Sequence, residues 1–79
     1  MYNIVKEKPR KEESMRIKEL REKGGYTQSE VAELLHIRQN TYSQYESGKR
    51  QLPISFLIEL ARFYKTSTDY ILGLTDEIS

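Results

Sequence analysis

The chain has 79 residues, enough for one small domain whose single hydrophobic core only just outweighs chain entropy. It contains no cysteine, which excludes disulfide staples and thiolate metal sites. Charge is dense but almost balanced, 13 Lys+Arg against 12 Asp+Glu for a net of +1, so bulk charge selects no partner and its distribution must decide.

Residues 1–13 mix charges of both signs with Pro9 and have almost nothing apolar after Val5. They are expected to form a flexible charged N-terminal arm, without the apolar stretch of a secretory signal. The longest apolar runs, such as Phe56-Leu57-Ile58, fall far short of the roughly 20 residues that cross a bilayer. A soluble, cytoplasmic protein with no membrane partner is expected. Ser14 is placed to cap a first helix, in which Ile17, Leu20 and Arg21 share one stripe and Gly24-Gly25 is the stop. Arg21, a charge on an apolar stripe, must snorkel or meet a buried partner.

Thr27-Gln28-Ser29-Glu30 opens a second helix as a capping box. Val31, Ala32 and Leu35 make its inner face, with Leu34 beside them, and Ala32 is small where two steeply crossed helices need their backbones close. His36-Ile37-Arg38 allows only a tight turn, pinned by a buried Ile37. The third helix, Gln39 to Ser47, points Tyr42, Tyr45 and Glu46 inward and leaves Gln39, Asn40, Ser43 and Gln44 as one outward patch. Gly48 is free to end it in the left-handed conformation.

Pro53 begins a fourth helix, with Ile54, Leu57, Ile58, Ala61 and Tyr64 at the helical period and Leu60 widening the stripe. Ser67 or Thr68 caps a short fifth helix, Tyr70, Ile71 and Leu72 supply its apolar surface, and Gly73 stops it. Five helices and no plausible strand make the chain all-α. The expected organisation is an arm at 1–13, a domain at 14–75 and a short C-terminal tail at 76–79.

Little in this chain suits catalysis. His36 is the one histidine and has no cysteine or paired carboxylates near it, Ser29 and Ser43 lack a base within reach, and no phosphate-binding glycine loop exists. Glu19/Glu22 and Glu30/Glu33 read as solvated helix faces, and Tyr42, Tyr45, Tyr64 and Tyr70 as core filling. No enzyme activity, metal, cofactor or small-molecule ligand is expected. The outward amides are chemically different. Gln and Asn each give and take one hydrogen bond, which matches the N6 donor and N7 acceptor of adenine, worth about 1–3 kcal/mol per bidentate contact. Arg38, Lys49 and Arg50 flank them, and Glu46 is the only acid between His36 and Arg50. If Glu46 is neutralised internally, that segment is purely basic and suits a nucleic acid whose site includes A·T pairs.

The ordered set TQSEVAELL, a three-residue turn, TYSQYESGKRQLP and LIELARFYKTSTDYILGLT resembles the Cro/XRE type of phage-repressor helix-turn-helix family from about Ser14 to Thr75. That resemblance implies a compact five-helix lambda-repressor-like DNA-binding domain with the helix-turn-helix at helices 2 and 3. It implies base reading by Gln39, Asn40 and Gln44 in the major groove, with Ser43 beside them. It gives Gln28 a phosphate contact and a reach to the third helix, and gives phosphate binding to the backbone around Ser47 to Lys49 and to the Lys49 and Arg50 side chains. Arg21 would pair with Glu46.

Two positions depart from the family pattern. His36 stands where glycine is common, so a residue with a Cβ would take positive φ at a cost on the order of 1 kcal/mol. Arg38 stands where Ser or Thr usually caps the recognition helix; it has no oxygen to cap with, but it reaches a phosphate or a guanine. The expected function is a DNA-binding transcriptional regulator, a repressor of prophage or mobile-element type. It would act as a homodimer on a two-fold symmetric double-stranded operator, with Tyr70, Ile71, Leu74 and Ile78 as dimer surface. The arm is either a solvated tail or a backbone contact through Lys6, Lys8, Arg10 and Lys11. The alternative is a protein-interaction adaptor or antitoxin using the same fold.

Overall fold

A computed structural model describes residues 15–78, so the arm and Ser14 lie outside the described residues. Five helices follow in order: α1 (Ile17–Gly24), α2 (Gln28–Leu34), α3 (Gln39–Ser47), α4 (Ile54–Tyr64) and α5 (Thr68–Leu72). No strand occurs among the described residues.

Local chemistry sets most helix ends. Thr27 Oγ1 accepts from the Glu30 N–H at 3.1 Å while Glu30 Oε1 accepts from the Thr27 N–H at 2.8 Å, closing a capping box. Ser67 caps α5 by accepting from the Tyr70 N–H. Arg16, with no side-chain cap bond, precedes α1, so the helix begins three residues after the expected Ser14 cap. Arg16 ties the fold's two ends together instead. Its guanidinium lies 4.3 Å over the Tyr70 ring and donates to Thr75 O at 3.0 Å and Asp76 Oδ1 at 2.7 Å. Asp76 therefore contacts α1's approach although it was expected to begin the tail.

The core gathers Ile17 and Leu20 of α1, Val31, Ala32 and Leu35, Tyr42 of α3, Leu52, then Leu57, Leu60 and Ala61 of α4 with Tyr70 and Ile71 of α5. α2 packs on α3, and α4 on α5. Three expectations need correction. Ile54 is 72% exposed and Ile58 41% exposed, so the buried stripe of α4 is narrowed to Leu57, Leu60 and Ala61 of the residues expected on it. Ile37 is only half-buried. Tyr70 and Ile71 are consumed by the chain's own core and are closed to a dimer partner. Leu52, just before Pro53, is a core residue that periodicity did not single out. A further contact spans the chain: Tyr26 stacks at a tilt on Phe63, 5.1 Å between centroids, and the missing side chain of Gly24 makes room for its ring.

Candidate nucleic-acid interface

The inner side of α3 is built around one carboxylate. The Glu46 side chain is 4% exposed and Arg21 12% exposed, and Arg21 meets it in a fork, Nε to Oε2 at 2.7 Å and Nη2 to Oε1 at 3.1 Å. Tyr42, one turn earlier on the same face, donates its hydroxyl to Oε2 at 2.6 Å, and Gln28 Nε2 donates to Oε1 at 3.0 Å. Burial raises the Glu46 carboxyl, but the hydrogen bonds from Arg21, Tyr42 and Gln28 outweigh it and hold it below its ordinary value. Burial, with the adjacent carboxylate, pushes the Tyr42 phenol far up. Arg21 also donates to Tyr26 O, so α1, its following turn, α2 and α3 are fastened at one point. With Glu46 paired, the charges left between His36 and Arg50 are the basic Arg38, Lys49 and Arg50.

The polar chain continues outward. Gln39 Nε2 donates to Gln28 Oε1 at 3.4 Å, and Ser29 Oγ donates to Gln39 Oε1 at 3.3 Å. Gln39 and Asn40 are exposed, and Ser43 and Gln44 half-buried, on the side of α3 away from the core. Gln28 is half-buried between the hub and Gln39. Sequence reasoning overlooked Ser29 as a holder of Gln39, and a lone serine in the first turn carries no signal for it. It also left Tyr42 without a bond to Glu46, although the four-residue spacing on one face was visible.

Left-handed residues stand in the turns before and after α3. His36 adopts φ 61°, which lets the Ile37 N–H turn back to Ala32 O at 3.0 Å and closes α2. Arg38 then stands at the N-cap of α3 in an extended conformation, exposed and without a side-chain cap bond. At the far end Gly48 (φ 82°) reverses the chain. The N–H groups of Gly48, Lys49 and Arg50 turn onto Tyr45 O and Gln44 O. Those backbone donors close the helix and are not free for phosphate, which leaves for that role the exposed Lys49 and Arg50 side chains and the Ser47 hydroxyl, the last once it turns from Gln44 O, to which it donates at 3.3 Å.

A helix laid against a second through a tight turn, its inner face locked and its outer face carrying exposed and half-buried amides between basic flanks, defines a helix-turn-helix protein. Comparison with known proteins agrees: the Helix-turn-helix family profile matches residues 17–71. The chain belongs to this family, in its Cro/XRE type. It is similar to the HTH-type transcriptional regulator ImmR of Bacillus subtilis (strain 168), 48% identical over 64 residues, 81% of this chain and 50% of ImmR. The HTH-type transcriptional regulator AnsR of the same organism is 40% identical over 58 residues, 73% of this chain and 50% of AnsR. The SPbeta prophage-derived uncharacterized HTH-type transcriptional regulator YonR, also from that organism, is 35% identical over 57 residues, 72% of this chain and 53% of YonR. The chain thus spans about half the length of the curated relatives it matches. No significant match to a solved structure is found. No helix among the described residues is long and apolar enough to cross a membrane.

Proposed function

We propose that this chain is a sequence-specific, double-stranded DNA-binding transcriptional regulator, a cytoplasmic repressor of prophage or mobile-element type, that reads the major groove with α3. The observation that carries this reading is the outer face of α3. Gln39, Asn40, Ser43 and Gln44 stand together there while the one nearby acid, Glu46, is turned inward and neutralised. In this reading those four side chains address base edges, and Gln28, Arg38, Ser47, Lys49 and Arg50 fix register on phosphates. The names of the relatives, transcriptional regulators and in one case prophage-derived, support it.

One such domain reads only a few base pairs, so a homodimer on a two-fold symmetric operator belongs to the proposal, with half-sites about one helical turn apart. Leu72, Leu74 and Ile78, exposed at 41%, 73% and 44%, are the apolar surface left for it at the C-terminal end. Selection from a randomised double-stranded DNA pool tests the reading. The expected product is a palindrome bound with steep salt dependence, affinity falling by about 10³-fold or more between 50 and 200 mM salt for six phosphate contacts. A pool that enriches nothing, with partner binding insensitive to salt, would instead favour a protein-interaction adaptor.

A further inference from the structure

The two glutamines at opposite ends of α3 differ in what their neighbours leave free. Gln39 gives one amide proton to Gln28 and accepts from the neutral Ser29 hydroxyl. It keeps one donor and one lone pair, the complement of the adenine edge. Gln44 is held by a cation. The Gly48 reversal brings the Lys49 and Arg50 N–H groups onto Gln44 O at 2.9 and 3.2 Å, and the Arg50 side chain follows, its Nε donating to Gln44 Oε1 at 3.0 Å. The ion pairs among the described residues belong to Arg16 and Arg21, so within them no carboxylate neutralises Arg50.

The consequence is electrostatic. Gln44 keeps both amide protons, while its acceptor oxygen lies against a guanidinium whose terminal nitrogens have no other hydrogen-bond partner among the described residues. An adenine at this position would set its N6 donor facing a positive charge. Guanine offers N7 and O6, two acceptors, to donors from Gln44 Nε2 and the Arg50 fork. We propose that Arg50 and Gln44 act as one reading unit that selects guanine at the base pair beneath the C-terminal end of α3, whereas Gln39 selects adenine near its N-terminal end. Arg50 is then a specificity determinant and not only a phosphate contact. The inference rests on base reading by α3.

The test titrates the 79-residue chain by fluorescence anisotropy against the duplex enriched from the random pool, and against duplexes with each base pair replaced in turn. The pair read by Gln44 is the one whose identity ceases to matter in Gln44→Ala. The expected result is G·C at that pair, bound about 10-fold more tightly than A·T. Arg50→Lys keeps the positive charge but lacks the Nε donor and the planar fork. It should reduce the preference at that pair alone while the preference controlled by Gln39 persists, with an unchanged far-ultraviolet circular dichroism spectrum. A preference for A·T there, no pair released by Gln44→Ala, or an undiminished G·C preference in Arg50→Lys overturns the unit and leaves base reading by the rest of α3 standing. A pool that enriches no sequence overturns base reading and the unit with it.

Discussion

The two faces of α3 hold their side chains by different means. On the inner face a single carboxylate accepts four hydrogen bonds, from Arg21 twice, Gln28 and Tyr42, at 2.6 to 3.1 Å. On the outer face Gln39 and Gln44 are steadied by contacts of 3.0 to 3.4 Å with exposed or half-buried neighbours. The difference separates two tasks across the width of one nine-residue helix. Inner groups fix where α3 lies, and outer groups keep polar atoms exposed or half-buried at the surface. Mutations should accordingly divide into those that unfold the domain and those that change what it recognises.

The largest effect is expected at Glu46. Glu46→Ala leaves the largely buried Arg21 with only Tyr26 O and the exposed Glu22 carboxylate at 3.9 Å and should cost about 3 kcal/mol, a large part of the stability of a domain this small. Urea denaturation followed by circular dichroism measures it, and a loss below about 1 kcal/mol would mean that the hub is ornamental. The same group sets a pH dependence. Its folded carboxyl titrates lower than in the unfolded chain, so its contribution is complete above the ordinary carboxylate value of about 4.3 and is lost as pH falls through the lower folded value. Wild-type stability should therefore fall more steeply below about pH 4.3 than that of Glu46→Gln.

A pair of tyrosines sharpens the comparison at smaller scale. Tyr42→Phe removes a 2.6 Å bond to a carboxylate and should cost about 1–2 kcal/mol. The Tyr64 hydroxyl is buried without a hydrogen-bond partner among the described residues, and burial and the charge of Glu46 push its pKa up to about 12. Tyr64→Phe should be neutral or slightly stabilising in the same denaturation experiment, because it removes an unsatisfied group. His36→Gly should raise stability by about 0.5–1 kcal/mol by relieving the left-handed strain at φ 61°, visible as a higher melting temperature. Gln39→Ala should leave stability within about 0.5 kcal/mol of wild type, since it removes only exposed contacts.

Much of the scaffold could be read from the chain because local chemistry decides it. Thr27 with Glu30, Ser67, and Gly48 act within a few residues of themselves, and the structure uses each as such. Arg21 and Glu46 were visible as two opposite charges on inward stripes. What escaped depends on distant packing. An 11-residue helix with six apolar candidates admits more than one stripe, and only packing against the rest of the core decides that Leu57, Leu60 and Ala61 are covered while Ile54 and Ile58 are not. The Tyr26–Phe63 contact joins residues far apart in the chain. Lys65 closes α4 at φ 57°, a left-handed cap with no glycine to announce it. At the interface, residue types suggested which side chains face outward. The hold of Arg50 on Gln44 follows from a chain reversal and a side-chain direction, neither of which spacing encodes.

The division between the faces of α3 is tested most directly by Gln39→Ala combined with Gln44→Ala, measured for both melting temperature and affinity toward the selected duplex and a scrambled duplex of equal length. The expected result is an unchanged melting temperature, a ratio of the two affinities that collapses toward one, and weak binding to both duplexes that survives. An undiminished ratio, or an equal loss on both duplexes, would contradict base reading by the outer face of α3.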